Sequence, residues 1–459
     1  MEITAKKRAT DELGYGKIGR LLLNYSIPAV ASMTVASLYN IIDRIFIGQG
    51  VGPLAIAGLA LTFPVMNLAV AFGSLVGSGA STMISIRLGE QRVSSASRFL
   101  GNAVIINLIT GTLFTAIGLY FLDPILYAFG ASNDTISYAR DFMKVILYGN
   151  IFAYSFFGLN NILRATGYPK KAMIITIGTV IINLLLAPVF IFYFRWGIKG
   201  AAWATVISQI IGAIAVVIHY FNKNNTLYFQ KRFLKLKISV IGRIFGMGMS
   251  SFVINFCACI VVVILNYSLK KYGGDLAIGA YGIINSILGL VVMLIFGFNL
   301  GMQPIAGYNY GAKQYDRVLL TLRYALITGT CISTFGFLIG EISPYYLSRA
   351  FTSHQTLIDI TTNGMRIVSL SFPIVGGQVV ASSFFQAIGM PKVSIFLSMS
   401  RQLLLLIPAL FIFPHFFQLQ GVWLALPAAD CISFLLTAAV LYYHYRRMKK
   451  MLPTNCGKL

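Results

Sequence analysis

The chain has 459 residues, of which 57% are hydrophobic and only 11% are charged. Soluble domains carry about 25% charged residues, so this composition excludes an ordinary soluble protein. The formal net charge of +23 does not indicate a nucleic-acid partner either, because Lys and Arg lie in short segments between apolar runs and not on one basic face.

Twelve apolar segments follow one another along the chain, separated by charged residues and by Gly and Pro. Most of them are longer than the roughly 20 residues that a helix needs to cross a bilayer. They predict an all-α membrane protein with twelve transmembrane helices. These spans 1 to 12 are expected at residues 22–47, 54–84, 99–121, 142–163, 172–194, 200–221, 242–269, 276–306, 318–340, 363–386, 393–413 and 421–444.

The basic residues predict the orientation of the spans. Of the 36 Lys and Arg, 26 lie on the side of the membrane that holds both termini, and eight lie on the other side. In membrane proteins the cytoplasmic segments carry the excess of Lys and Arg. We therefore expect a multi-pass protein of the cell membrane with both termini in the cytoplasm.

The second half of the chain repeats the first half at an offset of 222 residues. The offset superimposes the 1–2, 2–3 and 4–5 turns, and it becomes 221 by Gly200 and Gly421. An even number of spans separates equivalent points, so the two halves have the same topology, and the cavity between such repeats is a natural transport path. The repeat predicts two pseudo-symmetric six-helix bundles, at residues 1–230 with a cytoplasmic leader and at residues 231–459 with a basic cytoplasmic tail.

The sequence offers no chemistry typical of an enzyme. It has no nucleotide-binding loop of the form G-x-x-x-x-G-K-[ST], and its four histidines lie near span ends or in loops without an evident nucleophile or carboxylate partner. No cofactor is expected. Transport would then depend on an ion gradient, which requires a group inside the membrane that binds H⁺ or Na⁺.

Asp43 is the best candidate for that group. Of the 13 acidic residues, only Asp43 and Asp430 lie well inside spans. Asn40 and Tyr39 precede Asp43 by three and four residues, so the three side chains share one face of span 1. A carboxyl group in a medium of low dielectric constant can exchange a proton or coordinate Na⁺, and no other metal is expected. The alternative is an acid near the helix end that reaches the outer interface.

A second polar stripe lies in span 5, where Thr176, Thr179 and Asn183 are spaced at i, i+3 and i+7. Within the same bundle, Asn183 and Thr179 could help to coordinate a cation at Asp43. Alternatively, a threonine hydroxyl in a membrane helix bonds to its own backbone, which would leave Thr179 outside the site.

An arginine lies inside span 11 of the second half. Arg401 is some ten residues from the cytoplasmic end, and it is costly there unless it faces a polar cavity or a carboxylate. Asp430 in span 12 is the expected partner, and the repeat counterpart of Asp430 is Gln209. The three residues are candidates for a substrate cavity or a gate, with a purely structural ion pair as the alternative.

Tyr39, Met66 and Met293 are further candidates for the wall of the cavity. Flexible methionine and aromatic surfaces can admit varied amphipathic molecules. Every bundle of membrane helices is rich in such side chains, however, so ordinary packing is the alternative.

Several motifs in this order resemble the multidrug and toxic compound extrusion (MATE) family. They are YNIIDRIFIG at 39–48 followed by LAIAG at 54–58, the A-x-G-x-P-K turn in both halves, and GMQPI at 301–305. The resemblance covers nearly all of residues 17–447. It implies export of amphipathic, often cationic, molecules in exchange for H⁺ or Na⁺ by alternating access, and it assigns the acid of span 1 to Asp43 and the amide of span 5 to Asn183.

The sequence departs from the family pattern four residues after this amide. Many members of the family carry an acid there, and this chain has Ala187. One carboxylate with neutral oxygens makes a poorer Na⁺ site and slightly favours H⁺. The expected partners are amphipathic small molecules and membrane lipids, and the expected state is a monomer.

Two other functions stay open. A flippase for lipid-linked oligosaccharides of the same superfamily would line its cavity with several basic residues for pyrophosphate, whereas Arg401 is the only deeply placed candidate in this sequence. A membrane scaffold or receptor without transport activity is the alternative from a different class. Substrate-dependent ion flux would distinguish the scaffold from an antiporter.

Overall fold

The computed structural model describes residues 12–129 and 131–451. The start of the predicted leader and the last residues of the predicted tail lie outside this part, as do the side chains of Asn40, Ile41, Pro53, Ala57 and Asp275. Within the described residues the chain is helical and contains no strand. The predicted all-α fold is therefore confirmed.

The apolar segments form long helices because they lie in a lipid bilayer. Inside a bilayer the backbone must satisfy its own hydrogen bonds, and an α-helix does so within a single segment. The helices are α1 Ile18–Gly50, α2 Pro53–Gly89, α3 Val93–Tyr120, α4 Leu122–Ala128, α5 Ile136–Ala165, α6 Pro169–Pro188, α7 Ile198–Phe221, α8 Ile238–Gly311, α9 Tyr315–Ile342, α10 Pro344–Phe351, α11 Gln355–Ser369, α12 Phe372–Ala387, α13 Pro391–Met399 and α14 Ile407–Lys450.

The helices account for the predicted number of spans. Ten helical stretches of the described chain are long and apolar enough to cross a membrane, or eleven if the bent pair α11 and α12 is one span. One of these stretches, Pro391–Lys450, has a break in its backbone at Gln418, with φ 51° and ψ −130°. Dividing the stretch at this break gives twelve spans.

The turns recur at the offset of the sequence repeat. Gly167 and Gly389 have φ values of 97° and 81°, which glycine adopts readily because it has no Cβ. Two residues after each glycine a proline begins the next helix, Pro169 in α6 and Pro391 in α13, where its missing N–H is tolerated. The A-x-G-x-P-K motif is thus a turn between two helices in both halves.

Some elements were not predicted from the apolar pattern. The short helices α4 and α10 lie at equivalent points of the repeat, in the 3–4 and 9–10 connections. Span 10 is not one straight helix, because α11 and α12 meet at a bend of 55° beside Pro373, which lacks a backbone donor. Spans 5 and 11 contain the π-helical segments Val189–Tyr193 and Ser400–Leu406. Hydropathy alone does not detect such changes of helical pitch.

The chain folds into two compact units. Unit 1 contains Ala31–Asn255 and the described residues before Lys17, and unit 2 contains Lys17–Val30 and the described residues of Phe256–Leu459. Each unit has its own apolar core. The first part of α8 therefore packs in unit 1, and the first part of α1 packs in unit 2. The domain boundary predicted at residues 230 and 231 stays a prediction.

Within unit 1, α2 and the first part of α8 pack backbone against backbone. A Cβ added to Gly248 would clash with the backbone carbonyl of Leu75, and a Cβ added to Gly79 would clash with the carbonyl of Ile244. Small residues permit this close approach of helices in membranes. These two glycines are thus required for the packing of α2 on α8.

We predict that Gly248→Ala destabilises the protein while Gly246→Ala, in the same helix, does not. A methyl group at Gly248 meets backbone atoms that cannot rotate away, whereas a Cβ at Gly246 meets no atom within 4 Å. Overpacking costs about 1–3 kcal/mol, and alanine favours a helix over glycine by about 1 kcal/mol. Thermal unfolding of the detergent-purified variants measures the difference. Equal melting temperatures for the two variants would contradict the prediction.

Candidate cation-binding site

Asp43 lies in the last two turns of α1, within unit 1. Its side chain is buried, with 8% of the residue exposed. The carboxylate oxygen Oδ1 is buried and has no hydrogen-bond partner among the described residues. An ionised carboxylate in this position is costly unless a positive charge or a proton joins it.

The neighbouring Arg44 does not form an ion pair with Asp43 in the described structure. Its side chain is exposed, and its guanidinium carbon lies 4.6 Å from the centre of the Phe63 ring. Adjacent residues of a helix point in different directions, so Arg44 interacts with the aromatic ring instead. The two adjacent charges of α1 therefore have separate environments.

Three polar side chains from different helices meet one helical turn before Asp43. The hydroxyl groups of Tyr39 in α1 and Thr205 in α7 lie 3.0 Å apart. The Asn183 Nδ2 atom of α6 donates to both hydroxyl oxygens, at distances of 3.1 Å each. Polar groups that find each other in this way hold α1, α6 and α7 in register within unit 1.

The hydrogen atoms of this network can be assigned by counting donors. Thr205 donates its hydroxyl proton to the carbonyl of Ala201 at 3.1 Å, so Thr205 accepts from Tyr39. Since Tyr39 and Thr205 both use their protons elsewhere, the group of Asn183 that faces them must be its NH₂ group. The Asn183 Oδ1 atom is buried and has no partner among the described residues.

Among the described residues, Asp43 Oδ1 and Asn183 Oδ1 are thus both buried without a hydrogen-bond donor. Hard cations such as Na⁺ take oxygen ligands from carboxylates and amides, and a carboxylate can take a proton instead. The carboxylate and the amide oxygen are therefore of the chemical types that bind H⁺ or Na⁺. Thr205 was not among the candidates from the sequence, although it precedes the selected Gln209 by one helical turn.

Thr179 does not join this network through its hydroxyl group. Its Oγ1 atom donates to the backbone carbonyl of Thr176 at 2.7 Å, which is the ordinary bond of a threonine in a membrane helix. Thr176 in turn accepts a hydrogen bond of 2.8 Å from Asn160 in α5. The stripe of span 5 thus divides, and of its three side chains Asn183 is the one with described hydrogen bonds to Tyr39 and Thr205.

The other candidates occupy different positions. The side chain of Asn40 lies outside the described part of the structure. Gln209 is half-buried in α7, and Met66 packs at the edge of the core of unit 1, 3.7 Å from the hydroxyl of Thr62. Met293 in α8 is exposed. Their assignment to a cavity wall stays a prediction.

Arg401 and Asp430 form an ion pair within unit 2. The Arg401 Nε atom lies 2.7 Å from Asp430 Oδ1. Ser371 donates to Asp430 Oδ2 at 2.7 Å, and Gln378 donates to the Asp430 carbonyl at 2.6 Å. Both carboxylate oxygens of Asp430 therefore have donors, in contrast to Asp43 Oδ1. The bonds connect α12, α14 and the π-helical segment before α14.

These features define an integral membrane protein that carries ionisable groups inside its helical bundle, the class to which transporters belong. The family model MatE matches residues 28–189 and 246–412. The chain belongs to this family, the multidrug and toxic compound extrusion (MATE) transporters. It is a transporter and not an enzyme.

Individual relatives cover nearly the whole chain. It is 26% identical over 425 residues to the multidrug export protein MepA of Staphylococcus haemolyticus, with 93% of each chain covered. A solved structure of the MATE multidrug transporter DinF-BH is 37% identical, covers 94% of this chain and 96% of its own, and has a TM-score of 0.87. A solved structure of a MATE family transporter in its outward-facing conformation is 23% identical to this chain. The match covers 97% of this chain and 99% of that chain, and its TM-score of 0.91 shows a similar fold.

For the ion pair of unit 2 we predict that Asp430→Leu is more destabilising than the double variant Arg401→Leu/Asp430→Leu. The single variant leaves the arginine without its partner, which costs on the order of 3 kcal/mol, whereas removing both charges is often neutral. Thermal unfolding of the purified variants measures this difference. If the double variant is the less stable one, the charges have a stabilising role that their pairing does not explain.

Proposed function

We propose that this transporter exports amphipathic small molecules in exchange for H⁺ or Na⁺, and that Asp43 carries the coupling cation. The names of the relatives support export of drugs, since MepA is a multidrug export protein and DinF-BH is a MATE multidrug transporter. The site supports the exchange of a cation, and one observation carries this part: Asp43 Oδ1 is buried without a partner among the described residues.

The physical argument starts from the cost of the buried charge. A carboxylate without a hydrogen-bond donor in a medium of low dielectric constant is unstable as an anion. A bound proton removes the charge, and a bound Na⁺ compensates it. The site thus prefers to hold one positive charge, and it loses this charge most easily when water or a competing cationic substrate reaches it.

The sequence repeat provides an internal comparison for the site. The offsets of 222 and 221 residues place Val261, Leu265, Leu405 and Leu426 at the positions of Tyr39, Asp43, Asn183 and Thr205. All four apolar residues belong to the core of unit 2 or pack against it. Apolar side chains therefore suffice for packing at these positions. The topology of a half thus does not require polar residues at these positions, which supports a functional role for the polar set of unit 1.

Of the two ions, we propose H⁺ before Na⁺. The oxygen ligands that the described residues offer to a cation are one carboxylate and one amide oxygen, which is a small number for a Na⁺ site. Ala187, at the position where many relatives have an acid, is fully buried in the apolar core of unit 1. A proton needs only the carboxylate. Na⁺ remains the second candidate.

The remaining parts of the proposal follow from the sequence. We propose that transport proceeds by alternating access between two six-helix halves. We also propose that the protein is a monomer and that both of its termini lie in the cytoplasm. The flippase alternative is less well supported, because Arg401, the basic residue deep in a span, is engaged by Asp430 and is not free for a pyrophosphate group.

The function is tested by ethidium efflux from proteoliposomes that carry either a H⁺ gradient alone or a Na⁺ gradient alone. We expect the H⁺ gradient to drive ethidium efflux against the concentration gradient of ethidium. The Na⁺ gradient should do so weakly or not at all. Na⁺-driven efflux without H⁺-driven efflux would reverse the choice of ion. Movement of ethidium that neither gradient accelerates would contradict coupling altogether.

For the site we predict that Asp43→Asn loses at least about 90% of gradient-driven efflux while still binding ethidium. The amide keeps the shape of the side chain but cannot bind and release a proton, so it cannot couple a H⁺ gradient to transport. Asp359→Asn is the matched control, because Asp359 is exposed in α11 and bonds only to Gln355 in the described structure.

The experiment separates coupling from folding. Fluorescence anisotropy measures ethidium binding, and thermal unfolding checks that both variants are as stable as the parent. The assignment of Asp43 would be wrong if the stable Asp43→Asn variant kept gradient-driven efflux. Equal losses in the Asp359→Asn control would show that the effect is not specific to the site.

A further inference from the structure

Unit 2 has a groove on its surface between α9, α12 and α14. Its volume is about 800 Å³, within the range of about 300–1,000 Å³ that is usual for small-molecule sites. The lining is mainly apolar and runs along the first half of α9 and the last third of α14. It includes Leu320, Ile327, Thr330, Gly377, Phe434 and Leu441.

The end of the groove nearest the start of α9 and the end of α14 is polar and basic. Arg323 lies there with Tyr442 and Tyr445, and the guanidinium group of Arg446 stacks 4.8 Å from the centre of the Tyr442 ring. Asp316 also lines this end. Two cations against one acid give the end a net positive charge, and the tyrosines are typical of the interface between lipid and water.

In unit 1 the equivalent surface is filled by the chain itself. The segment that follows α7 folds back, so that the ring of Phe229 lies 5.4 Å from that of Tyr220 and 5.5 Å from that of Phe221. The backbone of Phe233 lies so close to Gly101 that a Cβ there would clash with its carbonyl. This segment covers the surface between α3 and α7.

Hydrogen bonds fix the covering segment of unit 1. Asn102 donates to the carbonyl groups of Phe233 and Lys235, at 3.3 Å each, and accepts from the backbone N–H of Lys237 at 3.0 Å. The guanidinium group of Arg98 lies 5.6 Å from the centre of the Phe233 ring. The segment is thus held on unit 1 both by an apolar contact and by hydrogen bonds to its backbone.

The repeat shows how unit 2 differs at the same place. Arg323 is the counterpart of Gly101, and Leu441 and Tyr442 are the counterparts of Tyr220 and Phe221. Where unit 1 has a glycine against a covering backbone, the described part of unit 2 has an arginine beside an open groove. An apolar groove of this size on membrane-spanning helices is filled by hydrocarbon in a bilayer. The arginine provides the charge that selects among lipids.

We propose that this groove binds one anionic phospholipid, with an acyl chain along the apolar lining and the phosphate group beside Arg323. Basic sites between transmembrane helices recognise acidic headgroups in this way. Arg446 adds a second positive charge, and Asp316 can accept a hydrogen bond from a headgroup hydroxyl, as phosphatidylglycerol carries. The proposal is independent of the transported substrate and of the coupling ion.

The probe is phosphatidylglycerol, with phosphatidylcholine of the same acyl chains as the neutral comparison. Delipidated protein in detergent is titrated with each lipid, and thermal unfolding and native mass spectrometry report binding. We expect phosphatidylglycerol to raise the melting temperature at least about 3 °C more than phosphatidylcholine does. Equal shifts with both lipids would overturn the selection of an anionic headgroup.

Two variants and one control test whether the lipid binds in this groove. Arg323→Gln should remove the preference for phosphatidylglycerol, whereas Lys170→Gln, an exposed residue at the start of α6, should keep it. Gly377→Leu should reduce retention of both lipids, because a Cβ there meets only the Thr330 hydroxyl, at 3.6 Å, so the side chain fills the groove without a backbone clash. Unchanged binding in Gly377→Leu would show that the lipid does not bind in this groove.

Discussion

The hydrogen bonding of polar groups in a medium of low dielectric constant is the constraint on which the structure depends. It forces the backbone into long helices, and some of the breaks between them lie at places where glycine and proline make a turn possible. Gly167 with Pro169 and Gly389 with Pro391 are such places. The same constraint applies to side chains, where each buried polar atom either finds a donor or carries a cost.

Asp43 and Asp430 respond to that constraint in opposite ways. Asp430 satisfies it with Arg401 and Ser371, so that both carboxylate oxygens are bonded. Asp43 leaves its Oδ1 atom unbonded within the described structure, and the nearby Tyr39 hydroxyl is directed to Thr205. A fully bonded carboxylate stabilises one arrangement of helices, whereas an unbonded one remains able to accept an external positive charge. The two acids inside the bundle are therefore suited to different tasks.

The sequence predicted the helical class, the spans and the repeat because hydropathy and turn residues report directly on burial in a bilayer. It also predicted Arg401 and Asp430 as partners, since two opposite charges at similar depth in one bundle have few alternatives. Thr205 was missed, because a threonine in an apolar helix is usually bonded to its own backbone and its contact with Asn183 depends on the angle between α6 and α7. The π-helical segments and the bend at Pro373 were missed because the apolar pattern is insensitive to small changes in helical pitch.

Because of the repeat, equivalent positions can be compared between two halves that have the same topology. Leu265 is fully buried at the position of Asp43, so the fold accepts a hydrocarbon side chain there. A carboxylate at the same position adds a desolvation cost and no packing that leucine does not provide. Selection for stability alone would therefore favour the apolar residue in both halves. Unit 1 instead has a carboxylate together with Asn183, Tyr39 and Thr205, as expected if a bound cation offsets this cost in the way that we propose. The asymmetry between two halves of equal topology is thus the physical argument for placing the proposed cation site in unit 1.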